Sequence, residues 1–111
     1  DLKIADAKHR LAYVLTRTAL IDCDRGRQRR AIERATEALD YARLLDRATE
    51  MLLANAVLAA GYLATGDTER ARPYEEASSQ LGPRAAEWAS EMAAGLLAAA
   101  PERNSAVAKA R

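Results

Sequence analysis

Leu58-Ala59-Ala60-Gly61-Tyr62-Leu63-Ala64-Thr65-Gly66-Asp67 is the stretch on which the fold turns, because it closes one helix and opens the next within two residues. Gly66 can adopt the left-handed conformation that ends a helix, and the Asp67 carboxylate can accept from a free N–H of the helix that follows. Upstream, residues 47–65 carry Leu52, Leu53, Ala56, Val57, Ala59, Ala60, Leu63 and Ala64, which are apolar nearly all round. This helix should be the most buried, with Asp46 as its N-cap. Downstream, a helix runs from Asp67 to about Leu81 and is stopped by Gly82 and Pro83. Pro73 falls inside it, where a lost hydrogen bond and a ring clash cost about 3 kcal/mol unless the helix starts late or kinks.

The same punctuation divides the rest of the chain. Residues 2–21 place Ile4, Leu11, Leu15 and Thr18 on one stripe and Lys3, Asp6, Arg10 and Arg17 on another, which is amphipathic helix periodicity. A hinge at 22–26 follows. Residues 27–45 set Ala31, Ala35, Ala38, Ala42 and Leu45 opposite Arg30, Glu33, Arg34, Glu37 and Asp40, and the short side chains permit a partner helix to approach closely. Pro83 suits the first turn of a fifth helix at 84–100, and Pro101 the first turn of a short sixth. Six helices joined by short turns must form antiparallel hairpins, because such links cannot cross over.

The hairpins repeat. Gly26 and Gly66, Ala31 and Ala71, and Ala38 and Ser78 share one offset of 40 residues (66 − 26 = 71 − 31 = 78 − 38), while Leu58, Ala59 and Tyr62 project onto Met92, Ala93 and Leu96 at 34 (92 − 58 = 93 − 59 = 96 − 62). A period of this size indicates a helical solenoid. The pattern Leu58-Ala59-x-x-Tyr62-x-x-x-Gly66-Asp67, continued by Ala71, Ser78 and Pro83, resembles one tetratricopeptide repeat. Asn55 stands where that family has tryptophan, and Glu75 where its second-helix aromatic belongs, with Tyr74 one place earlier. The resemblance implies an all-α, right-handed α-solenoid of about three antiparallel hairpins. The longer spacing is similar to repeats found in large bacterial transcriptional regulators.

Composition bounds what such an array can do. At 111 residues the chain suffices for one domain, 1–111, and its start at Asp1 instead of Met points to a piece of something longer. Alanine fills 27 positions and phenylalanine none, which favours close helix contacts over strands. A net charge of +1 supplies no global field toward nucleic acid or membrane. Cys23 and His9 each stand alone among the cysteines and histidines, so neither a disulfide framework nor a multi-ligand metal centre is legible, and no cofactor is called for. No signal-like or membrane-length apolar run occurs, and a cytoplasmic location is the default expectation.

The candidate sites follow from the resemblance, which implies that the first helix of each hairpin lines a groove. That wall would hold Leu53, Ala56, Ala60 and Leu63 in the middle unit and Glu87, Ser90, Ala94 and Leu97 in the next. A mostly apolar groove suits an amphipathic peptide, and it lacks the Lys, Arg and Asn that grip an acidic chain terminus; the bland alternative is that the face packs on an adjoining helix. Arg25, Arg27, Arg29, Arg30 and Arg34 form a possible anion or partner patch, but Asp22, Asp24, Glu33 and Glu37 surround it and no aromatic is interleaved for base stacking. A partly ion-paired hinge is the better reading there, and nucleic acid is disfavoured as a partner. Trp88 is a packing anchor if enclosed and a binding hot spot if exposed. The expectation is a non-catalytic protein- or peptide-binding module. The alternatives are the ligand-sensing part of a bacterial transcriptional regulator and a homodimerisation element.

Overall fold

In a computed structural model the backbone is described for residues 2–110 and the side chains for 3, 4 and 6–100. Among the described residues there are five α-helices, α1 (Leu2–Asp24), α2 (Gln28–Leu44), α3 (Ala48–Ala64), α4 (Thr68–Leu81) and α5 (Glu87–Ala110), with one 3-10 turn at Gly82–Arg84 and no strand. None of the described helices is long and apolar enough to cross a membrane.

Three of the turns share one construction. Gly26, Asp46 and Gly66, each 20 residues after the last (46 − 26 = 66 − 46 = 20), take φ values of 78°, 50° and 86°. In each turn the next residue's N–H donates back five positions to a helix carbonyl: Arg27 to Asp22 at 2.8 Å, Arg47 to Ala42 at 2.9 Å and Asp67 to Tyr62 at 2.8 Å. This is the Schellman closure, which satisfies the last carbonyls of one helix while turning the chain into the next. Asp46 was expected to cap α3, but it occupies the left-handed position of this closure, and its carboxylate instead accepts from Arg84 Nη2 at 2.8 Å. Arg47 is the N-cap residue of α3 and makes no side-chain cap bond. Asp67 does cap α4, accepting from the Arg70 N–H at 3.1 Å.

α1 and α2 form one hairpin, α3 and α4 a second, and α5 lies on α3, so α3 touches all four of the other helices. Its all-round apolarity has that cause: twelve of its residues are buried. Close approach depends on small groups. Ala31, Ala38, Ala59 and Ala71 are fully enclosed and Ser78 nearly so, its Oγ donating to the Leu52 carbonyl at 3.3 Å. A Cβ placed on Gly61 would come within 2.7 Å of Ile32 Cγ1 on α2. Tyr62 lies between α3 and α4 and is half-buried, stacked on Tyr74 with ring centroids 5.8 Å apart and the Arg70 guanidinium 5.5 Å from its own ring centre.

Two sequence expectations need correction. The apolar stripe of α1 divides: Leu15 packs partly buried against the core and Thr18 is half-buried, but Ile4 and Leu11 are exposed, and the fully enclosed face is Ala12, Thr16, Ala19 and Cys23. Small side chains won this contest because they let α1 lie closer to its neighbours than isoleucine and leucine would. The chain also forms two hairpins and one long helix rather than three hairpins, since the backbone of α5 continues through Pro101 where a sixth helix was expected. A proline removes only one helix bond, and upstream of it the buried Ala89, Ala93 and Ala100 already hold α5 in place. In the same way α4 runs through Pro73, whose residue is exposed, as is Glu69, the residue whose carbonyl loses its N–H partner.

Candidate binding cleft

Between α1, α3 and α5 lies an open cleft of about 330 Å³. α1 contributes Tyr13, Thr16 and Arg17, one helical turn that reaches past the buried alanine face. α3 contributes its first turns, Thr49, Glu50 and Leu53, and α5 supplies Trp88 and Met92 at i and i+4. Leu53 forms an apolar floor at 3% exposure, while Trp88 on α5 at 52% and Tyr13 on α1 at 55% stand half in water. Two half-wet aromatic rings over an aliphatic floor make an amphipathic surface of the kind that anchors ligands. Thr49 ties the walls together, its Oγ1 accepting from the Ala86 N–H at 3.0 Å just ahead of α5.

Glu50 is the one buried carboxylate in this lining, at 9% exposure. It occupies the third position of α3, where an acid ordinarily reaches back to the N-cap N–H. Here the Arg47 N–H is already donated to the Ala42 carbonyl by the turn closure. The carboxylate is therefore left over: Oε2 is enclosed with no hydrogen-bond partner, and the nearest cation, Arg47 Nε, is 3.6 Å away, an ion-pair distance too long for a hydrogen bond.

The groove positions inferred from repeat register divide. Leu53 lines the cleft, but Ala56 and Ala60 are wholly enclosed and Leu63 packs at the edge of the core, so along most of α3 that wall is helix contact and not open surface. Glu87 is exposed. Ser90, Ala94 and Leu97 face the opposite flank of α5, lining a separate hollow of about 270 Å³ with Leu52 and Ser78. The α5 positions inferred from repeat register therefore lie away from this cleft, and Tyr13, Arg17, Thr49, Glu50 and Met92, which line it, are not among the groove positions the register implies. The signal that was present is the pair Trp88 and Met92, two large side chains one helical turn apart on an alanine-rich helix.

The arginine patch is largely consumed internally. Asp22, 1% exposed, receives Arg34 at 2.5 Å and Arg27 at 3.4 Å, and Arg29 pairs with Glu33 at 3.6 Å; Arg25 and Arg30 are exposed. Among the described residues no group of three His, Cys, Asp or Glu is placed to hold a metal ion. Comparison of the chain with known protein families, with characterised proteins and with solved structures finds no match in any of the three.

Proposed function

We propose that the chain is a non-catalytic peptide- or protein-binding module built as a short stack of tetratricopeptide-like hairpins, with α1, α3 and α5 as first helices lining its docking face. The evenly spaced turn closures and the buried small residues at the hairpin contacts support the architecture. The observation that carries the function is Trp88: the chain's single tryptophan stands half exposed at the rim of a cleft floored by buried Leu53. Exposed tryptophan beside a pocket is the usual composition of a binding hot spot. The test is selection of peptides from a displayed random library, followed by affinity measurement against Trp88→Ala and Tyr13→Ala. Binding weakened about thirtyfold or more by the tryptophan change supports the reading. Selected peptides indifferent to both changes remove it.

A second reading, self-association, rests on α1. Ile4, Leu11, Val14 and Ile21 are 40–55% exposed and recur at steps of seven and three, a helical stripe with the spacing of a coiled-coil seam. Such a stripe can bury itself on a second copy.

A further inference from the structure

We propose that the cleft between α1, α3 and α5 takes a basic side chain, lysine or arginine, of an otherwise apolar peptide, with Glu50 as its counter-charge and Tyr13 and Trp88 as its flanking rings. The inference deepens the peptide-binding reading above and rests on it. Three observations converge. Glu50 is nine-tenths buried, lines the cleft, and has an enclosed oxygen without a donor. A carboxylate in that state is ion-paired but short of hydrogen bonds, and a ligand that brings charged N–H donors supplies the hydrogen bond that Arg47 at 3.6 Å does not. Two aromatic rings, one from α1 and one from α5, line the cleft, and aromatic rings attract cations while covering the methylene stem of a lysine or arginine. The floor is Leu53, which accepts such a stem and would not solvate an anion.

Arg17 lines the same cleft and carries the opposite preference. It is exposed on a long arm in water, where its field is screened, whereas Glu50 acts from an enclosed position where screening is weaker, with Arg47 at 3.6 Å offsetting part of its charge. An anionic ligand drawn by Arg17 would have to bring its charge beside buried Glu50. A basic one meets Arg17 at the mouth and Arg47 on the carboxylate it approaches, and it gains the hydrogen bond that Arg47 does not make.

The test uses the intact 111-residue chain and Trp88, its only tryptophan, as the reporter. The probes are two capped pentapeptides, alanine- and leucine-flanked, with arginine at the centre of one and citrulline, its uncharged isostere, in the other. The expected result is that the arginine peptide shifts Trp88 emission and binds about tenfold more tightly than the citrulline peptide. Glu50→Gln and Tyr13→Leu should each reduce that preference, Glu50→Asp should retain part of it, and Arg17→Ala should increase it. Circular dichroism establishes that each variant is folded, and Tyr13→Leu alters a half-exposed ring outside the core. Equal binding of the two peptides, or a preference unchanged by Glu50→Gln, overturns the counter-charge and leaves the peptide cleft standing. If neither peptide perturbs Trp88, the cleft reading falls and the proposal with it.

Discussion

Asp22 is the residue on which the α1–α2 hairpin is most exposed to a single change. Its carboxylate is enclosed in the last turn of α1 and receives Arg34 from α2 and Arg27 from the turn between them. Both arginines are partly exposed and can return to water if the acid is removed, which limits the damage to the lost charged hydrogen bonds. Asp22→Ala should lower stability by about 2 kcal/mol, read as a fall in the urea midpoint without a change of slope. An unchanged midpoint would show that the buried pair contributes nothing. In sequence, Asp22 was legible only as one acid among several at a basic hinge; that α1 runs on to Asp24 and turns this side chain inward is a property of the packed hairpin.

Among the elements, α4 tolerates an interior proline, and the cause is its position at the surface. Pro73 is the sixth residue of a helix capped by Asp67, beyond the first turn where the missing N–H would cost nothing. Pro73→Ala restores the bond to the Glu69 carbonyl and should raise stability by about 1–3 kcal/mol, seen as a higher melting temperature. A fall would mean that the ring itself makes contacts α4 needs. α5 shows the converse limit of local signals: Pro101 reads as a helix start, yet the backbone stays helical across it. α1 meets the same limit, because periodicity identifies a stripe of large apolar residues but not which stripe the neighbouring helices will cover.

For the whole molecule, the exposed stripe of α1 sets the association behaviour. The second reading above leads to dimerisation at micromolar to millimolar concentration, abolished by Val14→Glu, with sedimentation equilibrium as the measurement. Arg10 and Arg17 border the stripe and are exposed, so salt should strengthen the association by screening their mutual repulsion. A monomer at all accessible concentrations sinks that reading. The sequence alone determined the first four helices, the turns at Gly26 and Gly66, and the small residues at the hairpin contacts, because each depends on local backbone preference and on side-chain size, which neighbours in the chain already fix. Only tertiary structure decided that Glu50 would be left without a donor, that Trp88 and Tyr13 would flank one cleft, and that α3 would be enclosed by the four other helices. Those facts depend on how far each helix is rotated about its own axis against the others, and that angle is set by the summed fit of many contacts spread over the whole chain.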